Sequence, residues 1–168
     1  MRLIVAQIFC LLMLIVPNLS HGQTAPVVVE LFSSQGCSSC PPADQYLVEL
    51  AQQRNIIALG WHVDYWDYIG WEDIFAHPDF TERQKAYARV MNERMIYTPQ
   101  FIVNGAESSG SGHRAEVAAL IQKYAQRAPG ADLSIRRMGA SYDITLQNAY
   151  YSGPYDVYLV SVTPMETV

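Results

Sequence analysis

The sequence predicts an α/β fold in which a central mixed sheet is flanked by helices and followed by a small antiparallel β extension. Three observations lead to this prediction. Two apolar runs of strand length, residues 27–32 and 56–63, enclose a helical pattern, and a strand, helix and strand within about forty residues imply a parallel pair. The dipeptide Asn104-Gly105 then indicates an antiparallel hairpin.

The first three elements follow from local residue choice. Residues 27–32 are β-branched and apolar, and Ser33–Gly36 breaks the run, which predicts a strand followed by a turn. Pro41 and Pro42 stand where a helix tolerates proline, and apolar residues at helical spacing continue the helix to about Gln53. Residues 56–63 are continuously apolar, so we expect a second, buried strand.

The remaining elements of the main unit show weaker but regular patterns. Residues 64–73 are too aromatic and too acidic for either regular element, and we expect a loop or a lid. After it, the pattern predicts a helix over 79–95, a strand over 100–103, a short partner strand over 106–109 and a helix over 114–127. The expected order is therefore β-α-β-α-β-β-α.

Residues 131–168 form the predicted C-terminal extension. Three strands are expected there, over 133–138, 142–146 and 157–162, separated by segments rich in Gly, Ser and Pro. The chain ends at Val168 directly after the last of them, with no capping element. We therefore expect either a truncated C-terminus or an extension that lacks a partner strand.

The N-terminus has the features of a secretory signal peptide over residues 1–22. Arg2 precedes an apolar stretch over 3–16, and small residues lead to an expected cleavage point after Gly22. The alternative is an uncleaved membrane anchor, but the stretch is shorter than the roughly 18 residues of a spanning helix. We expect a secreted or periplasmic protein with its main domain over 23–130 and no stable membrane insertion after cleavage.

Charge and cysteine usage narrow the function further. The 168 residues carry a net charge of −5, which argues against binding nucleic acid or an anionic membrane surface. Cys10 lies inside the expected signal peptide, so the exported chain would keep only Cys37 and Cys40. In an oxidising compartment, one isolated pair indicates catalysis more than scaffolding.

The segment Cys37-Ser38-Ser39-Cys40 provides the main functional signal, because it places two thiols at a predicted helix start. Unpaired backbone N–H groups and the helix dipole stabilise a thiolate there, so we expect Cys37 to be the nucleophile and the more covered Cys40 to be the resolving thiol. The alternative is a structural disulfide. So short a loop would give little entropic stabilisation, which favours the redox reading.

Metal binding is the other use of such a pair. A zinc site normally needs two more ligands, and the exported chain has no other cysteine, so zinc is disfavoured. Two thiolates and an imidazole can bind Cu(I), and Cys37, Cys40 and His62 are the alternative ligand set. No other cofactor is expected.

The order of elements, the cysteine pair and Thr98-Pro99 before the third strand together resemble the thioredoxin fold. The strings VELFSSQGCSSCPPAD, HVDYWDYIGW, YTPQ and VNG are more specifically similar to a family of secreted bacterial thioredoxin-like proteins of unknown function. The resemblance covers about residues 27–168. It implies that Thr98 and Pro99 form a cis-proline turn that faces the cysteines and positions an extended substrate.

The aromatic and acidic loop follows the second strand, at the sheet edge where the first strand leads to Cys37. His62, Asp64, Trp66 and Asp67 are therefore candidates for proton relay or ligand binding. The alternative is that the aromatic residues cover the edge of the core, that the acids face water and that His62 is structural.

These features predict an exported thiol–disulfide oxidoreductase that acts on a protein or a small-molecule thiol or disulfide. Two alternatives remain open at this point. One is a soft-metal carrier or binding module that uses the same cysteines, and the other is a redox-inert thioredoxin-like domain that binds a ligand through its aromatic loop.

Overall fold

The computed structural model describes residues 25–110, 113–128, 130–150, 154 and 156–163. The signal peptide expected over 1–22 lies outside these residues. The elements are β1 (Val27–Ser33), α1 (Pro41–Ala51), β2 (Ile56–His62), a 3-10 turn (Asp67–Ile69), α2 (Pro78–Val90), β3 (Gln100–Val103), β4 (Glu107–Ser109), α3 (Arg114–Ala125), β5 (Asp132–Met138) and β6 (Ser141–Gln147).

The predicted mixed sheet is confirmed. Its strand order is β2-β1-β3-β4. Strand β1 is parallel to β2 and antiparallel to β3, and β3 is antiparallel to β4. The four-stranded sheet, the three helices and a separate two-stranded sheet make an α/β architecture that is consistent with a thioredoxin-like fold.

The helices cover the two faces of the sheet unequally. On one face, α1 and α3 pack on β1 and β3 through buried side chains: Val27, Val29, Leu31, Ala43, Leu47, Leu50, Phe101, Val103, Val117 and Ile121. On the other face, Phe80 and Tyr87 of α2 pack against a smaller cluster of Phe32, Trp61, Val63 and Ile102. Side chains of β1 alternate between the two faces of the sheet and pack into both clusters, which explains why this strand is buried almost throughout.

Strand β2 is less buried than its apolar sequence predicted. It lies at the edge of the sheet, so Ile57 is 43% exposed while Ile56 and Trp61 are buried. The predicted hairpin between β3 and β4 is confirmed. Asn104 and Gly105 adopt φ values of 51° and 64°, the pair of left-handed conformations that a tight hairpin turn requires.

The helix predicted over 79–95 is shorter in the structure, where α2 spans Pro78–Val90. Asn92 takes a left-handed φ of 55°, and its N–H donates to the carbonyl of Arg89 while the N–H of Glu93 donates to that of Ala88. This is the Schellman arrangement that terminates helices. The predicted loop also contains one regular piece, the 3-10 turn Asp67–Ile69.

The C-terminal extension forms two of its three predicted strands. Strands β5 and β6 pair antiparallel in their own sheet, with register Leu133 to Leu146 and Ile135 to Ile144. Residues 157–162 are not a strand. They are exposed and pair with nothing in the described part of the extension, and a lone β-prone segment is not stable without a neighbour. No helix within the described ranges combines the length and the apolar character needed to cross a membrane.

Candidate functional site

Cys37 and Cys40 form a disulfide at the N-terminus of α1, with their Cα atoms 5.4 Å apart. Cys40 is the N-cap residue of the helix. Cys37 is 2% exposed and Cys40 is fully buried, whereas Ser38 and Ser39 between them are exposed. Both cysteines therefore lie beneath the surface, and their exposure does not distinguish them.

Cys37 lies at the end of a tight turn between β1 and α1. The N–H of Cys37 donates to the carbonyl of Ser34 at 3.1 Å, and the N–H of Gly36 donates to the Ser34 hydroxyl at 3.0 Å. A Cβ atom on Gly36 would stand 3.0 Å from Ile69 Cδ1 and 3.1 Å from Trp66 Cβ. The aromatic and acidic segment therefore packs directly on the cysteine turn, and a Cβ at residue 36 would force it to move by a few tenths of an ångström.

Free backbone donors at the helix start are fewer than the sequence analysis expected. Pro41 and Pro42 have no N–H, and the N–H groups of Ala43 and Asp44 both donate to the carbonyl of Cys40, at 2.8 and 3.0 Å. The helix dipole remains. The Oγ atom of Ser39 lies 3.5 Å from Cys37 Sγ.

His62 and Asp73 form a hydrogen-bonded pair beside this turn. Nδ1 of His62 lies 2.7 Å from Oδ2 of Asp73, whose side chain is fully buried. The Asp73 carboxylate also accepts the N–H groups of Gln35 at 2.7 Å and Phe75 at 3.0 Å. Burial by itself raises the pKa of Asp73, but these hydrogen bonds together outweigh burial and hold the pKa below its usual value.

The other three candidate residues of the segment serve different contacts. Asp64 accepts a hydrogen bond from the Thr81 hydroxyl at 2.6 Å, which ties the segment to α2. Oδ1 of Asp67 accepts the N–H of Asp73 at 3.2 Å, so Asp67 supports the His62–Asp73 pair. Nε1 of Trp66 donates to Thr98 Oγ1 at 2.7 Å.

The Thr98–Pro99 peptide bond is cis, as the resemblance implied. The register places Phe32 of β1 opposite Gln100 of β3, so Pro99 enters the sheet at the end from which β1 leads to Cys37. Pro99 is buried, and Trp66 anchors Thr98 to the aromatic segment. The turn, the segment and the cysteine pair thus share one end of the sheet.

A cavity of about 560 Å³ opens beside the cysteine turn, and its wall includes Ser38 and Pro41, the neighbours of the two cysteines, but neither cysteine itself. It is lined by residues from the cysteine turn, the first turn of α1 and the aromatic segment: Gln35, Ser38, Pro41, Asp44, His62, Ile69 and Trp71 among them. Burial raises the pKa of Asp44, and Ser33 and His62 partly oppose this effect. The buried Ser33 hydroxyl has no hydrogen bond of regular geometry, although it lies close enough to influence Asp44.

Across the described ranges, no three His, Cys, Asp or Glu side chains are grouped so that they could hold a metal ion. The alternative Cu(I) set of Cys37, Cys40 and His62 is therefore not assembled in the disulfide form, where both sulfurs are bonded to each other and Nδ1 of His62 pairs with Asp73.

Residues 28–168 match the family described as Protein of unknown function (DUF1223). The chain belongs to this family. A comparison with curated proteins finds no match. Among solved structures, the crystal structure of a structural-genomics target protein from Agrobacterium tumefaciens is similar, with 36% sequence identity and a TM-score of 0.67. The alignment covers 74% of this chain and 57% of that protein, so this DUF1223 chain spans little more than half the length of its relative.

Three residues of this DUF1223 site were not among the sequence candidates: Gln35, Asp44 and Asp73. Gln35 and Asp44 lie within the string VELFSSQGCSSCPPAD, and Asp73 lies two residues after HVDYWDYIGW. Nothing in the local sequence distinguishes Asp73 from Asp64 or Asp67. Only the approach of Gln35 and His62 to one carboxylate distinguishes it. Asp44 is an acidic residue in the first turn of α1, and it becomes part of the cavity wall only because His62 and the aromatic segment lie opposite it in the fold.

Proposed function

We propose that this protein is an exported thiol–disulfide oxidoreductase whose redox centre is the Cys37–Cys40 pair. The observation that carries the proposal is a disulfide at the start of α1, bordered by a cavity whose wall contains a histidine held by a buried carboxylate. The cis-proline turn at the same end of the sheet supports it further. Export rests on the signal-like residues 1–22.

The reaction is a two-electron exchange. In the reduced protein, the Cys37 thiolate attacks one sulfur of a substrate disulfide, forms a mixed disulfide and releases the first substrate thiolate. The Cys40 thiolate then attacks the Cys37 sulfur, restores the intramolecular disulfide and releases the second thiolate. The protein loses two electrons and the substrate gains them, while the two protons of the cysteines pass to the leaving thiolates. The reverse sequence oxidises a substrate dithiol.

His62 is proposed as the group that moves a proton during this exchange. Because Nδ1 faces Asp73, Nε2 is the ring nitrogen that remains to accept or return a proton at the cavity. Asp73 acts as a positioning residue, since it fixes the ring through Nδ1. Thr98 and Pro99 are proposed to position the substrate backbone, with Trp66 fixing the turn.

The redox potential of the Cys37–Cys40 couple tests the proposal, measured by equilibrating the protein with mixtures of reduced and oxidised glutathione. Exchange proteins have potentials of about −120 to −270 mV, whereas structural disulfides lie below about −300 mV. We expect a value in the first range. A value in the second range would show that the pair is a structural disulfide.

Two cysteine variants test the division of roles. Cys37→Ser should lose exchange with a substrate disulfide, and Cys40→Ser should accumulate a mixed disulfide that mass spectrometry detects. Equal exchange by the wild type and Cys37→Ser would refute the assignment. If instead the anaerobically reduced protein carries stoichiometric copper that Cys37→Ser loses, the pair is a metal site.

The role of His62 needs a readout that a structural histidine would not affect. His62→Gln should slow exchange about tenfold or more and remove a step from its pH profile. His77→Gln is the matched control, because His77 is an exposed N-cap residue of α2 outside the cavity. An unchanged pH profile in His62→Gln would mean that the imidazole does not move the proton.

A further inference from the structure

The residues that build the site carry no basic side chain other than histidine. Between residues 25 and 82 the sequence contains one Lys or Arg, Arg54, while Asp44, Asp64, Asp67, Glu72 and Asp73 all lie there. Arg54 does not line the cavity. The next basic residue after it in the sequence, Arg83, pairs with Glu30. Residues 25–82, which supply the cavity wall, therefore carry more acidic than basic side chains.

The cavity wall adds two features with a definite chemistry. Asp44 presents a carboxyl group that makes no ion pair with Lys or Arg in the described part of the chain. Trp71 is 60% exposed, but its indole is held in place because Nε1 donates to Gln35 Oε1 at 3.1 Å. His62, paired with Asp73, is the remaining titratable group of the wall. A carboxyl group and an exposed indole in the wall of one cavity are groups that attract ammonium and guanidinium ions.

We infer that the cavity selects disulfide substrates that carry a positive charge next to the sulfur–sulfur bond, with Asp44 and Trp71 receiving the cation. This inference rests on the proposed exchange function and gives it a substrate class. Anionic disulfides are disfavoured, because their carboxylates meet Asp44 and the acids of the aromatic segment without a Lys or Arg to compensate.

Exchange with a cationic disulfide follows the same two steps as the general reaction, with the same transfer of two electrons. With cystamine as the substrate, the Cys37 thiolate attacks one sulfur and releases one cysteamine, while the second cysteamine stays bound through the mixed disulfide. The charge selection requires that its ammonium group contacts Asp44 or Trp71 in the cavity wall. Attack of Cys40 on Cys37 releases this second cysteamine, so that cystamine gains the two electrons that the protein loses.

The test compares three small disulfides in single turnovers of fully reduced protein, freed of excess reductant. They are cystamine, which is cationic, bis(2-hydroxyethyl) disulfide, which is neutral, and oxidised glutathione, which is anionic. Loss of the two protein thiols is followed by alkylation and mass spectrometry, and each rate is divided by that of dithiothreitol with the same disulfide. We expect the normalised rate for cystamine to exceed that for glutathione about tenfold or more, and the ratio to fall with added salt.

Variants connect this ratio to the cavity. Asp44→Asn should lower the ratio of the cystamine rate to the neutral-disulfide rate about threefold, and Asp79→Asn, which removes the same charge from an exposed position on α2, should leave it unchanged. If Asp44→Asn fails to fold, Trp71→Ala tests the same wall at an exposed side chain and should lower the ratio in the same direction.

The possible failures are distinguishable. Equal normalised rates for all three disulfides, or a ratio that the Asp44 and Trp71 variants do not change, would overturn the charge selection and leave the exchange function intact. A wild-type protein that reacts with the neutral disulfide no faster than Cys37→Ser would overturn both. Peptide disulfides with lysine or glutamate beside the cysteine then show whether the cation comes from a small amine or from a protein substrate.

Discussion

Replacing Asp73 with asparagine should destabilise the protein and weaken the hydrogen bond that holds His62. The carboxylate accepts three hydrogen bonds, from the Gln35 N–H, the Phe75 N–H and His62 Nδ1. An asparagine side chain has one acceptor oxygen: in the Oδ2 position it keeps the Gln35 and His62 hydrogen bonds and loses that of Phe75, and in the Oδ1 position it keeps only that of Phe75 and releases the other two. Asp73→Asn therefore loses at least one hydrogen bond to a buried charge, worth about 1.5–3 kcal/mol, and the hydrogen bonds that remain are weakened because the acceptor is neutral.

The net loss is smaller than the sum of these contributions. A neutral amide is less costly to bury than a carboxylate, and His62 can change tautomer so that Nδ1 accepts from the amide group. We expect the free energy of unfolding to fall by about 2–4 kcal/mol, measured by urea denaturation at neutral pH with tryptophan fluorescence. Asp67→Asn is the control. Its amide oxygen can still accept the Asp73 N–H, so its loss should stay below about 1 kcal/mol.

The pH dependence of the Asp73 effect has a defined sign. Because the folded pKa of Asp73 is held below its usual value, its stabilising contribution is fully present above the usual carboxyl pKa and is lost as the pH falls through the folded pKa. The stability difference between wild type and Asp73→Asn should therefore shrink in acid. A difference below about 0.5 kcal/mol at neutral pH, or one that stays constant into acid, would refute the role of the carboxylate.

Three further variants test neighbouring contacts. Arg83→Met leaves the buried Glu30 carboxylate without its guanidinium and should lower the free energy of unfolding by about 3 kcal/mol in urea denaturation. Gly36→Ala forces its new Cβ against the aromatic segment and should cost about 1–3 kcal/mol and slow exchange. Trp66→Phe removes the hydrogen bond to the cis-proline turn and should cost about 1 kcal/mol and slow exchange with peptide disulfides.

Two of these variants have a matched control. Arg114→Met breaks an ion pair with Glu49 in which both side chains are about half exposed, 49% and 47%, and should cost less than about 1 kcal/mol. Gly60→Ala places its Cβ 3.5 Å from Leu47 Cδ2, an ordinary contact, and should be tolerated. Equal losses in a variant and its control would contradict the corresponding contact. For Trp66→Phe, exchange at the wild-type rate would remove the anchoring role of the hydrogen bond.

The elements that the sequence predicted well are those whose pattern is local. The apolar run of β1, the two prolines at the start of α1 and the left-handed pair Asn104-Gly105 each fix their conformation within a few residues. The end of α2 was missed. Apolar spacing continues past Val90, but the backbone hydrogen bonds around Asn92 close the helix.

For residues 157–162, local composition led to a wrong prediction. Their β-prone composition predicted a strand, yet a strand exists only when a neighbour supplies hydrogen bonds, and composition carries no information about that neighbour. The same reasoning explains β2. Its apolar run predicted burial on both faces, while its place at the sheet edge leaves Ile57 exposed.

The sequence by itself determined the cysteine pair at a helix start and the order of elements in the main unit, because these depend on residue type at fixed spacing along the chain, and the family resemblance implied the Thr98-Pro99 turn. Only the tertiary structure decided which acid serves the histidine. Asp64, Asp67 and Asp73 are equivalent by composition and spacing, but Asp73 alone meets His62 Nδ1 and the Gln35 N–H, which come from separate parts of the chain. A carboxylate gains its role from the donors that the fold brings to it.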